Sequence, residues 1–91
     1  MKPERIVEIE YSSKFLRSLS KTPSHIQDRA EERDLIFRND PFDPRLHTHK
    51  LHGRDSRHWS YSVDYDYRVK FAFLNDNAVL YLDIGTHDEV Y

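Results

Sequence analysis

The chain of 91 residues contains no cysteine, and that absence removes disulfides, thiolate nucleophiles and cysteine-ligated zinc together. With only 2 glycines it has no glycine-rich loop of the kind that cradles nucleotide phosphates. No apolar run approaches the roughly 18 residues needed to cross a bilayer, and the start shows no charged and apolar leader followed by small residues. The expectation is a cytoplasmic protein with no membrane association and no small-molecule cofactor. Charge of one sign is also missing: 14 Lys and Arg stand against 16 Asp and Glu, with a net charge of -2. Such a balance does not support indiscriminate binding to nucleic acid. A chain this short buries only somewhat more than about 60% of its unfolded surface, so residues 1–91 are expected to form a single domain with a small core.

What charge there is lies unevenly. Arg45, Lys50, Arg54 and Arg57 face only Asp55 between positions 45 and 58, where His47, His49, His52 and His58 add charge as pH falls. Positions 75–91 hold Asp76, Asp83, Asp88 and Glu89 with no Lys or Arg. A polyanion is drawn to the first segment and repelled by the second.

Hydrophobic periodicity orders the chain as strand, helix, helix and three strands. Val7, Ile9 and Tyr11 alternate with Glu8 and Glu10, the period of two of a strand with one wet face, expected at a sheet edge. Ser12 or Ser13 caps a short helix carrying Phe15, Leu16 and Leu19, with Lys14, Arg17 and Lys21 outside that stripe. Thr22-Pro23 ends it and starts a second helix, Thr as cap and Pro in the first helical position, with Ile26, Ala30 and Phe37 near one face. The charged middle of that helix, residues 27–34, reads as a solvated face. After Asn39-Asp40-Pro41 comes an extended loop with a short strand near residues 46–51. Trp59 to Val63, Tyr67 to Leu74 and Val79 to Ile84 then make three strands joined by short turns, an antiparallel meander. The fold class is α+β, one small sheet with the helices on one face.

Six histidines supply most of the available chemistry. His47-x-His49, with His52 following, is one candidate for metal ligation, since alternate residues of an extended segment share a side. A second constellation joins His49, Asp66, Arg68 and His87. Cleaving RNA without a metal requires a base for the 2′-hydroxyl, an acid for the departing 5′-oxygen and cations for the phosphorane charge. Histidine, titrating near about 6.5, serves as either acid or base, and arginine grips two phosphate oxygens at once. Alternation sets Arg68 on the face opposite Val69 and Phe71, within reach of the end of the last strand. His87 follows that strand directly, past its Gly85-Thr86 end. Trp59 and Tyr61 are read as core, while Tyr65, Tyr67 and Tyr91 could pack or stack on splayed bases.

Three runs carry a resemblance: Leu46-x-x-His49-Lys50-Leu51-x-Gly53, then Trp59-x-Tyr61-Ser62-Val63-x-Tyr65-Asp66-Tyr67-Arg68-Val69, then Asp83 through Tyr91. Together they resemble the RelE/ParE toxin superfamily, particularly its YafQ-like mRNA interferases. The resemblance implies the toxin of a type II toxin–antitoxin system with a RelE-like fold, an endoribonuclease that cuts mRNA in the ribosomal A site and is silenced by a cognate antitoxin protein. It implies catalytic roles for His49, Asp66, Arg68 and His87, and RNA contact by Arg45, Lys50, Arg54, Arg57 and the C-terminal aromatic Tyr91. Which histidine is base and which is acid stays open. Ser62 departs from the pattern, standing where the YafQ-like group has a further histidine, and the net acidity departs from the usual basic charge of such toxins. The same superfamily contains a non-enzymatic ParE branch that inhibits DNA gyrase, so a binding role without cleavage, or an inactive antitoxin-binding homologue, is the alternative. A basic surface joining Lys14, Arg17 and Lys21 to the 45–57 loop is a further expectation.

Overall fold

The structure, a computed structural model, describes residues 5–53 and 57–90. Strand β1 (Glu8–Tyr11) leads into helices α1 (Ser13–Lys21) and α2 (Ser24–Asn39), followed by a 3₁₀ turn (Pro44–Leu46), β2 (His49–Lys50), β3 (Trp59–Ser62), β4 (Tyr67–Asn75), β5 (Ala78–Thr86) and α3 (His87–Val90). The strands form one mixed sheet in the order β1-β5-β4-β3-β2. β1 lies at the edge, as its alternating acids suggested, and pairs parallel to β5. The remaining pairings are antiparallel. Five strands replace the four that periodicity marks firmly, because the loop segment near residues 46–51 contributes a two-residue strand.

Capping explains where the helices begin. The Ser12 hydroxyl accepts from the Phe15 amide at 2.9 Å and donates to the Leu82 carbonyl at 2.8 Å, so one side chain caps α1 and ties it to β5. Thr22 does not cap α2: its hydroxyl turns back to the Leu19 carbonyl at 2.8 Å, and Pro23 occupies the cap position instead. A Pro lacking an amide donor costs little there, where amides have no helical partner.

Both helices cover the same face of the sheet, since Tyr81 of β5 meets Phe15 of α1 and Phe37 of α2. Phe37 is fully buried and packs on Tyr61 and Phe71 with ring centroids 4.9 Å apart in each case. Val69, Val79, Val63 and Ile84 complete this face. Each such aromatic or aliphatic side chain contributes about 1.5–3 kcal/mol on burial. Two hydroxyls inside are satisfied in series: Tyr61 donates to Tyr81 at 3.1 Å, and Tyr81 donates to the Asp34 carboxylate at 2.6 Å. Burial drives both phenols well above the usual tyrosine range. Arg38 holds the other Asp34 oxygen at 2.8 Å.

Candidate functional site

The β3–β4 turn is the piece of backbone on which the site is built. Asp64 Oδ1 accepts from the amides of Asp66 and Tyr67 at 2.9 and 2.8 Å, an aspartate turn that fixes the hairpin. Its Tyr65 ring projects outward, 91% exposed. Arg68 follows at the base of this turn. It stands in register with Ser62 on β3 and with Gly85 on β5, so it belongs to the central strand of the meander. Its Nη1 donates to the carbonyls of Asp64, Tyr65 and Tyr67 at 2.7, 3.0 and 3.1 Å. No carboxylate neutralises it through these bonds, and among the described residues the guanidinium is anchored by backbone carbonyls.

His87 arrives from the other side of β4. Its amide donates to the Asp66 carbonyl at 3.1 Å, fastening the start of α3 to the turn. α3 is a single helical turn that periodicity in so short a tail did not mark. Its first turn is closed by Glu89, whose carboxylate accepts the Thr86 amide at 2.7 Å, half of a capping box written in the sequence as Thr-x-x-Glu. Val90 then buries itself and holds the turn down. The His87 side chain is 59% exposed, with Nδ1 3.6 Å from Asp88. A side chain added at Gly85 would meet the Glu89 carboxylate side chain at 3.0 Å, so glycine permits this close fold-back.

Two depressions meet here. One, about 580 Å³, is lined by Tyr65, Asp66, Tyr67, Arg68, Thr86, His87 and Asp88. The other, about 470 Å³, is lined by Arg29, Arg33, Arg45, His47, His49, Ser62, Val63, Asp64, Tyr65 and Arg68. They share Tyr65 and Arg68. His49, Asp66, Arg68 and His87, singled out from sequence, therefore all line one or other of two adjoining depressions, together a trough that pivots on Tyr65 and Arg68, with Asp66 and His87 lining the first and His49 the second. His49 is set by β2, in register with Ser60, and its Nδ1 lies 3.1 Å from the His47 carbonyl. His47 itself is left-handed, φ 50°, so the backbone between the two rings is not extended and they do not share a side by strand alternation.

Of the residues proposed from sequence for RNA contact, Arg45 lines the trough. It is held by a two-pronged pair with Asp43, Nε to Oδ1 at 3.0 Å and Nη2 to Oδ2 at 2.9 Å, which lowers the Asp43 carboxyl to about 2. Lys50 and Arg57 are exposed and line neither depression. Arg54 and Tyr91 lie outside the described residues. Lys14 and Lys21 line a separate hollow with Asp83 and Glu89, where Lys14 pairs with Asp83 at 3.4 Å, so they do not extend the His49 side. Arg29 and Arg33 of α2, read from sequence as a solvated face, enter the trough. A signal was present: Arg33 sits at i+7 from Ile26, i+3 from Ala30 and i−4 from Phe37, squarely on the stripe that faces the sheet.

No protein-family model and no curated protein matches the sequence. Solved structures do. YafQ from Escherichia coli strain BL21(DE3) superposes with a TM-score of 0.76 at 18% identity, covering 92% of this chain and 97% of that one. The chain has the RelE/ParE-type toxin fold. The YoeB/ParE toxin from Agrobacterium tumefaciens gives a TM-score of 0.75 at 10% identity, covering 89% and 99% of the two chains. The toxin–antitoxin complex RelBE2 from Mycobacterium tuberculosis gives 0.74 at 17% identity, covering 93% and 99%. In this chain the β3–β4 turn and the segment after β5 lie side by side, joined by the His87 amide and the Asp66 carbonyl.

Proposed function

We propose that this protein is the toxin of a type II toxin–antitoxin pair, acting in the cytoplasm as a metal-independent endoribonuclease on mRNA in the ribosomal A site and silenced by a cognate antitoxin. The observation that carries the reading is the trough in which Arg68 separates His87 and Asp66 from His49. Among the described residues the Nε and Nη2 groups of Arg68 make no hydrogen bond, which leaves donors for a phosphate.

In this reading a ribose 2′-hydroxyl attacks the adjacent phosphorus while one histidine takes its proton. The bond to the 5′-oxygen breaks, the other histidine protonates that oxygen, and the products are a 2′,3′-cyclic phosphate and a 5′-hydroxyl. Arg68 balances the added charge on the phosphorane, and its rigid anchoring on three carbonyls means it needs no reorganisation as that charge develops. Asp66 orients a histidine or binds the ribose. The chemistry calls for exposed rings, because the substrate must reach both of them.

The second reading is a ParE-like toxin that inhibits gyrase without cutting RNA; the likeness to a solved YoeB/ParE toxin from Agrobacterium tumefaciens is compatible with it. One paired experiment separates the two. Expressed protein is assayed for mRNA cleavage in a translating extract and for inhibition of gyrase supercoiling. Cleavage with cyclic-phosphate ends supports the nuclease; inhibition of supercoiling with intact mRNA replaces it with a gyrase-directed toxin.

A further inference from the structure

The trough has two arms of unequal charge. On the His87 side of Arg68 the charged wall residues are Asp66 and Asp88. On the His49 side the wall holds Arg29 and Arg33, beside Arg45, whose charge is already matched by its two-pronged pair with Asp43. The carboxylate in that wall is Asp64, whose Oδ1 is taken by two turn amides. Arg33 is fixed in place, half-buried, with Nη1 on the Arg45 carbonyl at 3.1 Å. Arg29 is exposed, enters none of the ion pairs among the described residues, and stands one helical turn from Arg33, so the two guanidinium groups lie on the same side of α2. Between the arms the 91% exposed Tyr65 ring stands on the shared lip.

We infer that a single strand of RNA continues past the phosphate at Arg68, over Tyr65, onto a second arm in which Arg29 and Arg33 hold the neighbouring phosphates. This rests on the ribonuclease reading and adds to it a length requirement and two positioning residues on α2. Two cations one helical turn apart on α2, lining the same depression as Arg68, suit the repeating charge of a nucleic-acid backbone. An exposed planar ring between the arms stacks on an unpaired base and finds no open base face in a duplex, so the ligand is single-stranded.

The test uses the whole protein and fluorescent 2′-O-methyl RNA, which lacks the attacking hydroxyl and stays intact. Affinity for an octanucleotide and a trinucleotide is measured by anisotropy across a range of salt. Arg29→Gln is expected to flatten the slope of log affinity against log salt by about 0.7 for the octanucleotide, the value of one lost phosphate contact on a single strand. Arg29→Lys restores the slope, and the trinucleotide, which spans only the Arg68 site, binds wild type and variant alike. An unchanged octanucleotide slope in Arg29→Gln, in a protein whose wild type still cuts mRNA in a translating extract, overturns the second arm and leaves the nuclease standing. Weakened binding of an acidic peptide on Arg29→Gln, with RNA affinity untouched, also overturns it and assigns the arm to a protein ligand. A wild type that neither cuts mRNA nor binds the octanucleotide takes down the nuclease reading and the arm with it.

Discussion

The face of the sheet under the helices and the trough at the β3–β4 turn are built from the same strands by opposite rules. Under the helices, Phe37, Tyr61, Phe71 and Tyr81 touch one another, and both buried hydroxyls find an oxygen partner. At the trough, His49, Asp66 and His87 are exposed, and their positions are set by backbone bonds and strand register. The first region spends its groups on its own stability. The second leaves its side chains exposed to solvent, and its backbone is fixed by main-chain bonds: an aspartate turn, an arginine on three carbonyls and a one-turn helix tied to Asp66. Such a division predicts that substitutions in one region change folding and substitutions in the other change activity.

The largest effect is expected at the centre of the buried region. Phe37→Ala removes a fully buried ring and should cost about 3–5 kcal/mol in urea unfolding, whereas Tyr65→Ala, exposed at the trough, should stay within about 0.5 kcal/mol. Similar losses at both positions would dissolve the distinction. Next comes His87→Ala, for which mRNA cleavage in a translating extract should fall by about 10²–10⁴-fold while the melting temperature holds, and growth arrest on expression should be relieved. Persistent arrest would remove His87 from the mechanism.

Alkaline pH probes the buried side alone. Tyr61 and Tyr81 have folded pKa values raised above the ordinary 10.0, so the native state keeps protons that the unfolded chain releases. Their contribution is complete below pH 10 and is lost as pH rises toward the folded values, by up to about 1.4 kcal/mol per pH unit for each phenol. Phenolate absorbance should therefore show these two tyrosines ionising only together with unfolding. If they titrate in the native state, the core is more open than the packing indicates.

A smaller change sharpens the other side. Glu89→Ala removes the acceptor for the Thr86 amide and should lower stability by about 1 kcal/mol, with a larger relative drop in cleavage than in melting temperature, because the same turn carries His87. The smallest effect belongs to Asp43→Asn. The Asp43 carboxyl is lowered from 3.8 to about 2 by Arg45, so its contribution is present above pH 3.8 and fades as pH falls toward 2. Acid unfolding curves of wild type and variant should diverge only above that window, and slightly, since the pair is exposed.

Much of this molecule was legible in its letters. Alternation around Ile9, the Ser12 cap and the apolar β5 run dictate strand and helix types through local sterics and hydrogen bonding, although Val7, read as part of the first strand's apolar face, precedes β1 and is exposed. The resemblance carried His49, Asp66, Arg68 and His87, and the fold places them along two adjoining depressions that share Arg68. Less legible were features that depend on distant partners. Thr22 looked like a cap for α2 and instead serves α1, a choice between two local bonds that sequence leaves undecided. Arg29 is exposed as its charged stretch suggested, whereas Arg33 looked solvated and is half-buried, because its partner, the loop at Arg45, is far away in sequence.

By itself, then, the order of residues determined the elements and the types of chemical group the protein can offer, because periodicity, caps and turns act over a few positions. Only the tertiary structure decided which of those groups meet. Strand order set Arg68 between β3 and β5, the tie from the His87 amide to the Asp66 carbonyl joined the chain's end to its middle, and α2 crossing the sheet delivered two arginines to the same trough. Those juxtapositions arise from long-range packing of a shared apolar face, which fixes the polar ends of the strands as a consequence.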